Sequence, residues 1–238
     1  RDTSSLQGMG GGGAAVQPDL VRKIAGALKN GAPSTGYGMT ETHGIITSNS
    51  ARWYLAKPES CGPVVPTLEA KLVDEDGNDL PAHPDTVGIL CVRGAVTIKG
   101  YLNRAEATAD TIKDGWLNTG DIARIDSDGF VFLVDRAKDM VIRGGENVYP
   151  REIDEVLHQH PKIQVAVAVG MPDEYRGETV KAFVVLKAGQ TATAQEIIDF
   201  CRERLARFKC PKKFSFGPLP KTSTGKILKY VLRQKAKE

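Results

Sequence analysis

Phe132-Leu-Val-Asp-Arg-Ala-Lys-Asp-Met-Val-Ile-Arg-Gly-Gly-Glu-Asn-Val-Tyr-Pro150 is the stretch whose reading decides the fold. With Phe130 and Val131 before it, the run through Val134 is short and apolar, which is the pattern of a strand. Asp135, Arg136, Lys138 and Asp139 then put four charges into five residues, a joint that cannot be buried cheaply. Met140, Val141 and Ile142 resume the apolar pattern and lead into Gly144-Gly145, where backbone can come close to another surface or a ligand. Two readings follow. One is a hairpin with a solvated loop. The other is a hinge between two domains, with a ligand-contacting arginine on one side and a glycine-lined loop on the other.

The 238 residues allow one large domain or two smaller ones, and 41% hydrophobic with 26% charged residues is the balance of an ordinary soluble protein. No apolar run approaches the roughly 18 residues of a membrane span, and no signal-type leader is read at the start. Cys61, Cys91, Cys201 and Cys210 have neither C-x-x-C nor metal spacing, so they read as buried, reduced thiols of a cytoplasmic protein. The opening Arg1-Asp-Thr-Ser-Ser-Leu6 resembles the middle of a domain, and the expectation is a fragment.

A net charge of +3 hides an asymmetry: Cys201 to Glu238 carries 12 Lys/Arg against 2 Asp/Glu, leaving 20 against 27 elsewhere. A basic end on an acidic body suits an anionic partner, whether phosphates, nucleic acid or a membrane surface. The plainer reading is a solvated helix face. Phe208, Phe214, Phe216 and Leu219 are interleaved with these charges, so the segment is folded rather than a disordered arm.

Along the chain, Gly8 to Gly13 is glycine-dense and formally fits G-x-G-x-x-G. No convincing strand is read before it and no acidic residue sits about 20 positions beyond in a second strand, so the match to a dinucleotide site is weak. A helix is predicted from Pro18 to Lys29, and Ala51 to Pro66 reads as a Pro/Gly-rich connection. Leu68–Val73 and Gly88–Arg93, around an Asp76-Gly77 turn, suggest antiparallel strands of a small barrel or sandwich. Trp116 to Asp126 leads through Asp128-Gly129 into the opening stretch. After Pro150 come a helix to His160, strands at Ile163–Val169 and Val180–Leu186, and a capping box Thr193-x-x-Glu196 opening a helix to about Phe208. A short strand near Phe214–Phe216 and a basic helix from about Lys226 end the chain. The fold class is α+β: a β-rich part with flanking helices over residues 1–137, and a small α+β domain over 138–238.

Three segments carry chemistry. Tyr37-Gly-Met-Thr-Glu41 offers an aromatic face, a hydroxyl and a carboxylate within one turn, suited to a base, a phosphate and a hard cation, although an ordinary turn fits too. Thr119-Gly-Asp121 sets a carboxylate after a glycine, as accepting two ribose hydroxyls requires; an ordinary loop aspartate also fits. Lys221-Thr-Ser-Thr-Gly-Lys226 puts a lysine on a polar loop ahead of a helix. It lacks the first glycine of a P-loop, and Ile227 stands where the hydroxyl residue belongs. A Walker site is rejected, and a loop delivering one ammonium to a phosphate or carboxylate remains.

In their order, Y-G-M-T-E, T-G-D, D-R-x-K-D with G-G-E-N, and P-K-T-x-T-G-K resemble the adenylate-forming superfamily, over essentially the whole chain. Thr40-Glu-Thr-His-Gly44 and Gly144-Gly-Glu-Asn-Val-Tyr-Pro150 bring it nearest to fatty-acyl and aryl acyl-CoA synthetases. The resemblance implies a large N-terminal domain with a distorted barrel, of which residues 1–137 are the end, and a hinged small domain. It implies ATP, Mg²⁺, coenzyme A and a fatty or aryl carboxylic acid as partners. By the same resemblance Gly12, Gly13 and Ala14 line the acyl and adenine pocket, Tyr37 stacks on adenine beside Gly38, and Thr40 contacts phosphate. Glu41 binds Mg²⁺, Asp121 and Arg136 hold the ribose, and Lys226 bridges carboxylate and phosphate. Lys138 falls at the hinge, and Gly144 and Gly145 serve the coenzyme A channel.

The family's S-G-T-T-G-x-P-K loop is absent from the chain, so the chain alone is expected to be inactive. The acyl substrate is not readable; medium or long fatty acids come first and aryl acids second, with His43 either an acyl-side wall or a satisfied histidine. The rival class is a non-catalytic module binding anions through the basic end, although no nucleic-acid signature accompanies it. Weak membrane-surface association and a homodimer stay open.

Overall fold

A computed structural model of the protein describes residues 2, 4–12, 16, 18–223 and 225–237. The chain divides into two compact units, residues 1–134 and 135–238, each mixed α and β.

Unit one opens with β1 (Gly8–Gly11), α1 (Pro18–Ala27) and β2 (Ala32–Tyr37), followed by β3 (Thr47–Ser50), α2 (Ala51–Ala56) and β4 (Gly62–Pro63). β1 runs parallel to β2, and β2 antiparallel to β3. The glycine-rich start is therefore itself a strand. The segment 51–66 also departs from a plain connection, since it contains α2. That helix is six residues long and is entered through Ala51 at φ 51, so it carries no helical period to read.

The second sheet of unit one takes β5 (Leu68–Val73), β6 (Gly88–Gly94), β7 (Ile112–Lys113), β8 (Trp116–Ile125) and β9 (Phe130–Arg136), with α3 (Ala105–Thr111) leading into β7. Its order is β4-β9-β8-β6-β5, with β7 on β8, and it curls as a half-barrel. The buried core of this unit is Ile46, Leu68, Leu72, Leu90, Val92, Leu117, Ala123 and Val131, against which Tyr37 and Met39 pack. Each fully buried side chain of this kind contributes roughly 1.5–3 kcal/mol, and this core fixes where the Tyr37 turn lies.

Unit two contains β10 (Val141–Arg143), β11 (Glu146–Val148), α4 (Pro150–His158), β12 (Ile163–Asp173), β13 (Gly177–Leu186), α5 (Ala194–Arg202), β14 (Lys213–Phe216) and α6 (Lys229–Lys237). The sheet order is β11-β10-β13-β12, with β14 parallel to β13. β12 buries both faces: Ala166 and Ala168 join the core under α4 and α5, whereas Val167, Val169 and Met171 join the one under α6. Period two survives here as a choice between two cores. The capping box is real, with Glu196 N donating to Thr193 Oγ1 at 3.1 Å. α5 stops at Arg202 rather than Phe208, because Leu205, Phe208 and Cys210 all turn back onto one core. α6 starts at Lys229, after Lys221 and Ile227 bridge as a short antiparallel pair.

The opening stretch is not a hairpin across the charged joint: β9 and β10 belong to different sheets. The joint is also not fully solvated. Asp135 and Asp139 are buried while Arg136 and Lys138 are exposed. Asp135 accepts from Arg136 N at 2.7 Å and from Arg151 N at 2.8 Å, satisfying an amide in the first turn of α4. Asp139 pairs with Arg233 on α6. Burial is tolerated because each carboxylate has a partner.

Candidate active site

In unit one the site is built around the end of β2. Tyr37 N donates to Thr47 Oγ1 at 3.2 Å, Thr47 Oγ1 donates to Cys61 O at 2.7 Å, and Tyr37 Oη donates to Asp121 Oδ2 at 2.5 Å. Burial, then the Asp121 charge, push the Tyr37 phenol well above its ordinary pKa, so it stays a neutral donor. Asp121 lies on a bulge. Between the pairs Ile89–Ile122 and Cys91–Asn118, Leu90 alone faces Thr119, Gly120 and Asp121, and Gly120 takes φ +69. Thr119 Oγ1 donates to Leu90 O at 2.8 Å and accepts from Asp121 N at 3.1 Å. The bulge redirects one side chain out of the ladder, which is how the glycine of T-G-D acts.

Gly38 is required by space. A Cβ there would stand 2.2 Å from Gly44 O and 2.5 Å from Ile45 N. The chain thereby folds back tightly around the 3₁₀ turn Thr40–Thr42, whose exit residue His43 takes φ 54. Thr42 Oγ1 donates to Met39 O at 3.1 Å and accepts from Met39 N at 3.2 Å. Thr40 is exposed and Glu41 half-buried. A distant segment clamps this turn: His43 Nδ1 lies 2.8 Å from Val96 O, Ile98 N donates to Glu41 O at 2.9 Å, and Tyr101 Oη donates to Glu41 Oε1 at 2.7 Å. Of the two readings of His43, that of a satisfied histidine is met by the Val96 carbonyl.

Among the described residues no group of three or more His, Cys, Asp or Glu side chains comes together as a metal cage. Glu41 by itself fits Mg²⁺ in another way. That ion keeps most of its waters and is held by one or two carboxylates plus substrate phosphates.

In unit two Gly144 and Gly145 form the two-residue turn between β10 and β11, at φ +60 and +88. A Cβ on either would meet no protein atom within 4 Å, so within the chain the pair serves the backbone conformation that a type I′ turn needs. Lys226 is exposed on a closed turn: Thr222 N donates to Lys226 O at 2.8 Å, Gly225 N to Thr222 O at 2.9 Å, and Lys226 N to Thr222 Oγ1 at 3.1 Å. Lys138 sits in the 3₁₀ turn Ala137–Asp139 next to exposed Arg136. Gly12 is exposed. Gly13 and Ala14 lie outside the described residues.

The structure thus brings Tyr37, Gly38, Thr40, Glu41 and Asp121 together in unit one, and carries Arg136, Lys138, Gly144, Gly145 and Lys226 on unit two. Sequence reading missed Tyr101, 60 positions from its partner, because no local pattern announces a contact across that separation.

Residues 1–102 match the AMP-binding enzyme family and residues 152–226 the AMP-binding enzyme C-terminal domain. The chain belongs to the adenylate-forming superfamily. It is 42% identical over 238 residues to a long-chain-fatty-acid–CoA ligase of Bacillus subtilis (strain 168), covering 100% of this chain and 42% of that protein. It is also 42% identical over 231 residues to a 2-succinylbenzoate–CoA ligase of Bacillus cereus (strain Q1), covering 96% and 46%. Among solved structures, o-succinylbenzoate CoA synthetase from Bacillus subtilis with the acyl-adenylate intermediate OSB-AMP superposes with TM-score 0.87 at 33% identity, over 98% of this chain and 47% of that one. The chain therefore spans less than half the length of these relatives.

Proposed function

We propose that the chain is part of an acyl-CoA synthetase that activates a carboxylic acid with ATP and passes the acyl group to coenzyme A. In the first step a carboxylate oxygen attacks the α-phosphate, giving acyl-adenylate and pyrophosphate. In the second the coenzyme A thiol attacks the acyl carbon and AMP leaves. The observation that carries this reading is the Tyr37–Asp121 bond on the bulge of β8. It locks an aromatic ring and a carboxylate edge at one place, as a nucleoside's base and ribose require.

Gly12, with Gly13 and Ala14, lines the pocket, and Arg136 joins Asp121 on the ribose. Thr40 meets phosphate, and Glu41 holds Mg²⁺ with the nucleotide's own phosphates. When bound, Mg²⁺ neutralises charge on those phosphates. Lys226 supplies the ammonium where two anions must approach, Lys138 is the pivot between half-reactions, and Gly144 and Gly145 serve the coenzyme A channel. These roles rest on the motif order. The Lys226 turn and the Gly144-Gly145 turn support them, being exposed backbone-ordered projections.

A fatty acid of medium or long chain is the substrate class proposed, favoured by the Bacillus subtilis relative's name. An aryl acid is the second reading, favoured by the equal identity to the 2-succinylbenzoate ligase. A cytoplasmic setting goes with this chemistry. In the protein at its natural full length, Lys226→Ala should abolish ATP–pyrophosphate exchange while sparing thioester formation from supplied acyl-adenylate. Equal loss in both steps removes the role of Lys226, and no exchange with any of a panel of fatty and aryl acids removes the enzyme reading. A salt-sensitive complex with DNA would then favour the anion-binding module.

A further inference from the structure

The clamp on the Glu41 turn comes from one segment, residues 96–101, and its last contact is to a side chain rather than to backbone. Tyr101 Oη donates to Glu41 Oε1 at 2.7 Å. Among the described residues no partner is recorded for Oε2.

Tyr101 is itself held in place. Its N donates to Thr108 Oγ1 at 2.9 Å, and its carbonyl accepts from Arg104 N at 3.1 Å, at the start of α3. Just before it, Gly100 takes φ +155, and a Cβ there would stand 2.8 Å from Thr108 Cγ2. The Tyr101 backbone is thus pressed onto α3. Glu41 is fixed from the other side, since Ile98 N holds its carbonyl at 2.9 Å.

A glutamate has three side-chain torsions, and a half-exposed one samples several rotamers. One charge-assisted bond from a rigid phenol removes most of that freedom and leaves one carboxylate oxygen to a ligand. We infer that Tyr101 is a positioning residue: its hydroxyl holds Glu41 in the orientation that presents Oε2 to a cation accompanying the nucleotide. The inference deepens the proposed function and rests on its placement of Glu41. It assigns Tyr101 no contact with substrate. Loss of such an outer hydrogen bond to a metal-ligating group weakens metal affinity by roughly 10–100-fold.

The test compares the unsubstituted protein at natural full length with Tyr101→Phe, which keeps the ring and removes the donor. Mn²⁺ binding in the presence of ATP is read by the loss of the free Mn²⁺ resonance, and metal-free AMP binding by calorimetry. The expected result is Mn²⁺·ATP affinity at least about tenfold weaker in Tyr101→Phe, with AMP affinity unchanged. Tyr101→Phe combined with Glu41→Gln should then be no worse than Glu41→Gln alone. Equal weakening of Mn²⁺·ATP and AMP would make Tyr101 merely structural and overturn the inference, as would no change in either. If the unsubstituted protein binds neither ligand, the proposed function itself fails and takes this inference with it. Binding that is indifferent to Tyr101 sinks this inference alone.

Discussion

Tyr37 Oη donates to Asp121 Oδ2 across 84 positions of sequence, at 2.5 Å. This bond ties the end of β2 to the bulge of β8, so it joins the three-stranded sheet to the curled one at the place where the chemistry is proposed. Replacing Tyr37 by Phe keeps the ring against the core of unit one but removes this donor from a half-buried carboxylate. A hydrogen bond to a charged group contributes about 1.5–3 kcal/mol, and chemical denaturation of Tyr37→Phe should show a loss of about that size. A midpoint unchanged from the unsubstituted chain would mean the bond contributes nothing net.

Gly38 should tolerate no side chain. With Gly44 O at 2.2 Å from a built Cβ, Gly38→Ala must push the 44–45 backbone away and with it the 3₁₀ turn bearing Thr40 and Glu41. The expected cost is about 1–3 kcal/mol, the range for overpacking. Adenylate affinity should fall more steeply than stability, because the displaced turn carries the polar groups. Calorimetric titration with AMP on Gly38→Ala checks this, and unaltered affinity would show the turn adapts.

The periodic parts of this fold were legible. β5, β6, β12 and β13 lie close to where apolar runs put them, and the capping box at Thr193 opens α5. The Tyr37, Asp121 and Lys226 motifs are visible as local patterns for a similar reason, each lying within a few residues, and the chemical roles given to them are proposals. What was not legible depends on partners far along the chain. The charges 135–139 look uniformly solvent-bound in sequence, yet Asp135 is buried against the amides of Arg136 and Arg151, and Asp139 against Arg233, 94 positions away. No spacing rule reports an ion pair of that separation. α2 escaped because a six-residue helix entered through a left-handed residue has no period, and Tyr101 because its only signal is a tyrosine after a glycine.

The turn at Gly144-Gly145 separates two reasons for a glycine. Both φ values are positive and no protein atom stands within 4 Å of a built Cβ, so for folding it is conformation that selects glycine here. Gly144→Asn should therefore be nearly neutral, since asparagine enters the left-handed region readily. Gly144→Val should cost about 1–2 kcal/mol. Thermal unfolding of both variants decides it, and equal behaviour of Asn and Val would contradict a purely conformational requirement.

Asp154 gives unit two a pH dependence with a definite sign. It projects from α4, accepts from Ala168 N at 2.6 Å and faces Lys229 Nζ at 3.5 Å. Burial raises its pKa from 3.8 to about 7, more than Lys229 and the Ala168 amide lower it, and the charge of Asp135 adds to the rise. A raised carboxyl pKa means the fold prefers the protonated form. Below about pH 4 folded and unfolded chains are both protonated, and nothing is lost. As pH climbs from about 4 to 7 the unfolded chain releases this proton while the fold retains it, so stability declines. Above about 7 both states are ionised and the loss is complete. At about 1.4 kcal/mol per pKa unit the decline is on the order of 4 kcal/mol. Asp154→Asn keeps a carbonyl for Ala168 N and removes the titration, so its advantage over the unsubstituted chain should grow from pH 4 to pH 7 and then level off. Urea denaturation of the two proteins side by side cancels every other titrating group, and a constant difference across that range would show that Asp154 ionises in the fold as it does in water.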